Sequence, residues 1–130
     1  MLSFDINTTV ALKSFLENCN FHDGFFRYAK YDQVLKQFSV CVDNTIWGGS
    51  VSMLFCEVQK LICISDYKWS KDETILGCCI IESDDKQILP YIDTNDQDNL
   101  CILFEMLSGN CIYIVCSELK AHRTRDGSLS

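Results

Sequence analysis

The chain has 130 residues, 48% of them hydrophobic and 22% charged, with a single proline and a net charge of −7. That length and balance fit one folded domain with a sizeable core, and they exclude a disordered or proline-rich chain. The negative charge argues against nucleic acid and against an anionic membrane surface, which both call for clustered Lys and Arg. It favours a basic protein as partner, although it also serves simply to keep a small domain soluble.

Residues 1–7 carry neither a basic segment nor a long apolar one, so no signal peptide is visible. No apolar run approaches the length of a membrane span, and the expected location is the cytoplasm. Thr8 or Thr9 is a suitable N-cap for a helix over residues 9–18. Val10, Ala11 and Phe15 with Leu12, Leu16 and Cys19 recur at helical spacing, and Asn18 and Asn20 are suitable terminators.

After this helix the period changes from helical to alternating. Residues 23–31 and 37–42 read as two strands of a hairpin around a turn at 32–36, with Phe38, Val40 and Val42 on one face. Strands follow at 51–58, 60–65 and 74–82. Residues 83–99 are the most polar part of the chain and read as turn and loop around a short edge strand at 88–92. Two further strands, 100–106 and 111–118, flank a turn at Leu107–Asn110. Residues 1–120 are expected to form the domain, and 121–130 to fray.

This order predicts a mainly β, α+β fold. It is an antiparallel meander of about seven strands, forming a sandwich or half-barrel with one N-terminal helix. The strands at 74–82, 100–106 and 111–118 are apolar on both faces, so both faces should be covered, by the fold itself or by a second copy.

The nine cysteines do not spell a site. The number is odd, there is no C-x-x-C, and the only histidines are His22 and His122. Within apolar strand patterns such as Ile62-Cys63-Ile64, these cysteines read as small core residues. Cys19 with His22 lacks an orienting partner for nucleophilic catalysis.

His22-Asp23 resembles a fragment of a metal-dependent phosphohydrolase site. Such a site needs several more His and Asp ligands, and neighbours on a strand point to opposite faces. A structural junction between helix and strand is the reading preferred for His22 and Asp23. No nucleophile elbow, phosphate-binding loop, dinucleotide fingerprint or zinc-protease motif occurs, so no enzyme, metal or cofactor is expected. The acidic residues of 82–98 do not match a calcium loop. Trp47, Tyr67 and Trp69 fall in expected loops, where aromatics act as binding hot spots and equally often plug the open end of a sandwich.

Phe21-His22-Asp23 at the start of the first long strand and Tyr31-Asp32 at its end carry a resemblance. Leu54-Phe55-Cys56-Glu57-Val58 with Leu61, Ile75-Leu76-Gly77-Cys78, and Phe104-Glu105-Met106 before Gly109 and Ile112-Tyr113-Ile114 extend it. Over about residues 9 to 120 the chain resembles small bacterial, mostly β domains with a [Phe/Leu]-His-Asp motif. Some of these are similar to predicted immunity proteins of polymorphic-toxin systems.

The resemblance implies a domain that does no chemistry and instead binds and blocks a toxin domain, a basic one given the charge. The loops bearing Trp47, Tyr67 and Trp69, with Asp93, Asp96 and Asp98, are the expected contact surface. The alternative is a structural domain that homodimerises through a sheet face. Replacing Asp93, Asp96 and Asp98 together with Asn is expected to slow association with a basic partner and flatten its salt dependence; stopped-flow measurement across a salt series checks this.

Overall fold

The computed structural model describes residues 2–44, 48–65, 68, 73–81, 99–125 and 128–129. A short strand, β1 (Leu2–Phe4), leads through a 3-10 turn (Ile6–Thr8) into the helix α1 (Thr9–Cys19). Asp5 caps the turn by accepting from the Asn7 N–H at 2.8 Å, while the Thr8 hydroxyl accepts from the Asp5 N–H at 2.8 Å. The remaining strands are β2 (Phe25–Asp32), β3 (Gln37–Asn44), β4 (Gly49–Cys56), β5 (Lys60–Ile64), β6 (Ile75–Ile80), β7 (Leu100–Met106), β8 (Cys111–Cys116), β9 (Glu118–Arg125) and β10 (Ser128–Leu129).

These strands make two antiparallel sheets. The larger has six strands in the order β1-β9-β4-β3-β2, with β10 also on β9, and the smaller has four in the order β5-β8-β7-β6. Mainly β architecture, one N-terminal helix and sandwich layering are as the sequence pattern predicts. Consecutive strands pair within β2-β3-β4 and within β6-β7-β8, and the chain changes sheet from β4 to β5 and back again from β8 to β9.

Both changes of sheet occur at one corner. β4 pairs with β9 as far as Cys56 opposite Glu118, and β5 pairs with β8 from Lys60 opposite Val115. At the corner, the segment Glu57–Gln59 therefore lies opposite Cys116–Ser117, one residue in excess, as in a β-bulge. Glu57 absorbs the bend in the left-handed region, at φ 52°. The Gln59 N–H donates to the Val115 carbonyl at 2.7 Å, and the Ser117 N–H to the Cys56 carbonyl at 3.2 Å, so the ladder carries on around the bend.

The core lies between the sheets. Phe38, Val40 and Val42 on β3, Val51, Met53 and Phe55 on β4, and Leu119 and Ala121 on β9 face inward. Ile102, Phe104 and Met106 on β7 and Ile112, Ile114 and Cys116 on β8 meet them from the other sheet. Phe104 is central, with the rings of Phe26, Phe21 and Phe55 edge-on at centroid distances of 5.2, 5.9 and 6.4 Å. The helix packs against β6 and β1, burying Leu12, Leu16 and Cys19, with Phe15 against Phe4 at 5.4 Å. Its buried stripe is narrower than the apolar spacing suggests: Val10 is 85% exposed, because the helix meets the sandwich along one edge only. Among the described residues no helix is long and apolar enough to cross a membrane.

Two sequence expectations change. The segment 121–130, expected to fray, contains most of β9, which lies between β4 and β1 with Ala121 fully buried. The ordered fold thus continues past residue 120. The strand expected over 111–118 is two strands, because the ribbon bends at Ser117. The apolar outer face of the smaller sheet forms a second cluster, Ile81, Cys101, Leu103, Tyr113 and Val115, which is buried within a single chain. Its two-faced pattern therefore needs no second copy to cover it.

A Cβ on Gly24 would stand 3.0 Å from the Phe21 carbonyl oxygen, 3.0 Å from Val42 Cγ1 and 3.2 Å from the Asp43 carbonyl oxygen, whereas one on Gly77 meets nothing within 4 Å. Gly24→Ala is expected to destabilise the protein by about 1–3 kcal/mol. Gly77→Ala should be neutral or stabilising by up to about 1 kcal/mol. Urea unfolding of the two variants checks the contrast.

Candidate functional site

The turn from helix to sheet is built from the Phe21–Gly24 stretch. Asn20 ends the helix in the left-handed conformation, φ 50° and ψ 71°. Phe21 then drops into the core, and Asp23 takes a second left-handed position at φ 67°. The Asp23 N–H donates to the Ile75 carbonyl at 2.9 Å, and the Ile75 N–H donates to the Gly24 carbonyl at 2.7 Å. With the bridge between Phe25 and Thr74, these bonds fasten the start of β2 to the start of β6, one strand from each sheet.

The buried Asn44 side chain donates to the carbonyls of Asn20 at 2.8 Å and His22 at 3.2 Å. This pairs backbone oxygens that the helix end and the turn leave open.

His22 and Asp23 lie on the surface of this turn. His22 Nδ1 is 3.2 Å from the Leu76 carbonyl oxygen, and Nε2 is 3.5 Å from Asp23 Oδ2. The two side chains converge, contrary to the expectation for neighbours on a strand, because they sit in a turn with Asp23 left-handed. Both are about half exposed. Among the described residues, no group of three or more His, Cys, Asp or Glu side chains is placed to hold a metal ion.

Cys19 and His22 have opposite environments: the thiol is sealed in the core while the imidazole faces solvent. Burial pushes the Cys19 thiol up to about 12 against a pull from Arg123, and burial likewise pushes Cys116 up to about 12. Cys78 is also raised by burial. Such thiols are poor nucleophiles, since the thiolate is the reactive form. Cys63 and Cys79 are exposed.

The β2–β3 hairpin lies where the sequence pattern predicts it, and the feature that sequence reasoning missed is its exposure. β2 is exposed at every residue except Phe26, with Tyr28 43% and Tyr31 44% exposed. The turn adds Val34 at 90% and Leu35 at 61%. The turn itself is well made: Asp32 Oδ1 accepts from the N–H groups of Val34 and Leu35 at 2.9 and 3.0 Å, and Lys36 closes it at φ 53°.

Arg27, at the bulge in β2, makes a two-pronged ion pair with Asp43, Nε to Oδ2 at 2.9 Å and Nη2 to Oδ1 at 2.6 Å. Lys30 lies over the Tyr28 ring at 5.6 Å. An open depression of about 430 Å³ along this hairpin is lined by Lys30, Tyr31, Asp32, Gln33, Gln37 and Ser39.

Trp47, Tyr67, Trp69, Asp93, Asp96 and Asp98 lie outside the described residues. No protein-family model and no curated protein matches the chain.

The thiols give a pH test. Cys19 and Cys116 have folded values of about 12 against an ordinary 9.0, so their contribution is complete below pH 9 and is lost as pH rises towards 12. Each should remove about 1.4 kcal/mol of stability per pH unit across that window. Urea unfolding at pH 8 to 11 checks the slope, and alkylation at pH 8 should mark Cys63 and Cys79 in the native protein while sparing Cys19 and Cys116.

Proposed function

We propose that this chain is a non-catalytic protein-binding domain that meets its partner with the β2–β3 hairpin. The observation that carries the reading is the exposure of Tyr28, Tyr31, Val34 and Leu35 together on one hairpin, whereas the exposed apolar side chains elsewhere, such as Val10 and Leu107, are scattered along the chain. Clustered exposed apolar residues rimmed by charge are characteristic of protein contact sites. Arg27, Lys30, Asp32 and Lys36 supply the charged rim. His22 and Asp23 lie at a turn that fastens two strands together, which fits binding rather than chemistry.

The finer form of this reading is an immunity-type inhibitor acting in the cytoplasm on a basic bacterial toxin domain. The resemblance of the Phe21-His22-Asp23 pattern and the net charge of −7 support it. In that form the acidic and aromatic residues expected at the contact, Asp93, Asp96, Asp98, Trp47, Tyr67 and Trp69, act with the hairpin. An adjacent gene for a large secreted toxin would add weight to it.

The test is affinity capture from the source cell with the wild-type chain and with Val34→Ser/Leu35→Ser. These side chains are exposed, so the variant should unfold within about 0.5 kcal/mol of wild type. Loss of the captured partner by about tenfold or more is the expected result. Undiminished capture by the variant overturns the hairpin as the docking element.

A further inference from the structure

The two halves of β2 are treated differently by the fold. The first half is guarded: Phe25 bridges Thr74, immediately before β6, and the ladder with β3 is interrupted by the bulge between Phe26 and Tyr28. The second half, Tyr28 to Asp32, pairs with β3 on one side in regular register. On its other side it has no strand partner among the described residues, and all of its residues are exposed. That is an edge of roughly 17 Å presenting unpaired N–H and C=O groups. Proteins protect such edges with proline, lysine, bulges or a covering element. Lys30 is the one such guard within this half, and its position selects what can pair.

The occupant follows from the order of charges. If a second copy adds its own β2 across a two-fold axis normal to the sheet, residues that face the same side must oppose one another. The axis then passes through a residue and not between two. An axis at Lys30 sets lysine against lysine. An axis at Ala29 sets Tyr31 against Arg27, which sits in the bulge and is already held by Asp43. An axis at Tyr31 sets each Lys30 against the other copy's Asp32 and the two Tyr31 rings side by side.

Opposite charges and aromatic residues directly across an antiparallel ladder are favourable pairs. The Asp32 carboxylate is already fixed by the Val34 and Leu35 N–H groups. Its place in such a pair therefore costs little further ordering.

We propose that Lys30–Asp32, at the open edge of β2, pair with the same residues of a second copy of this chain, antiparallel and centred on Tyr31. The proposal rests on the reading of the hairpin as a protein-binding element and names one partner for it. The regular ladder is short, so self-association is weak, with a Kd on the order of 100 µM.

Sedimentation of the full chain from about 10 µM to about 1 mM tests it, since that range brackets such a Kd. Wild type should pass from monomer to dimer. Lys30→Asp and Asp32→Lys should each weaken self-association about tenfold, while an equimolar mixture of the two, and the double variant Lys30→Asp/Asp32→Lys, should restore it.

A second measurement does not depend on the charge variants. Tyr31→Cys places a thiol on the axis, where opposed Cα atoms about 5 Å apart fit a disulfide. Oxidation should therefore give a linked dimer above the wild-type background, and Ala29→Cys should not.

A wild-type chain that stays monomeric, charge variants that associate like wild type, or cross-linking equal at Ala29→Cys and Tyr31→Cys overturns the proposal. A monomeric wild type whose capture of another protein is still lost with Val34→Ser/Leu35→Ser overturns the second copy alone and leaves the hairpin reading standing.

Discussion

One bend holds the architecture together. The β4-β5 and β8-β9 ribbons run side by side from one sheet into the other, and they turn at the same place, Glu57–Gln59 against Cys116–Ser117. Because their hydrogen bonds continue through the bend, the relative position of the sheets is not set by side-chain packing alone. The inner faces of β4 and β9 on one side and of β8 on the other are brought to meet, and Phe55 reaches Phe104 across the gap. A sandwich made from two separate meanders would need its loops to supply that alignment. Here the ladder supplies it.

The other flank is closed by a smaller device. The bonds between Asp23, Gly24 and Ile75 tie β2 to β6, while Asn44 secures the carbonyls of the turn and of the helix end. The sandwich is thus held at a corner by continuous strands and at the opposite flank by a turn. What neither device ties down is the far half of β2, Tyr28 to Asp32, which is exposed throughout. Ala29 and Tyr31 have the inward parity of Val40 and Phe38, yet both are exposed.

Much of this was legible in the chain. The alternation of Phe38, Val40 and Val42, and of Val51, Met53 and Phe55, gave the inner faces directly. Asn20 marked the end of the helix, and the apolar doubling in β7 and β8 announced a strand pair covered on both faces. β9 was not legible, because residues 121–130, with Arg123-Thr124-Arg125 and no period, read as a fraying tail; the burial of Ala121 comes from lying between two other strands, a property of topology that local pattern does not carry. The exposure of the hairpin was not legible for the converse reason. Phe25, Tyr28 and Tyr31 have the composition of a core strand, and only the strand order reveals that β2 has one neighbour along Tyr28–Asp32. At His22 and Asp23 the chain makes a turn, so the rule for neighbours on a strand does not apply to them. The expected loop residues, from Trp47 to Asp98, fall outside the described part of the chain.

The position of β9 also bears on how the fold is reached. β4 is separated in sequence from its partner β9 by both the smaller sheet and the corner, with Gly49 opposite Arg125 and Cys56 opposite Glu118. Contacts so distant along the chain form slowly, because loop closure must precede any reward from pairing. During synthesis, β2, β3 and β4 can zip together early, but β4 keeps an open apolar-backed edge until Glu118–Arg125 have left the ribosome. The smaller sheet can assemble in the interval, and the core between the layers can seal only when β9 slots in beside β4. This is a fold whose larger sheet is completed from its middle, and late.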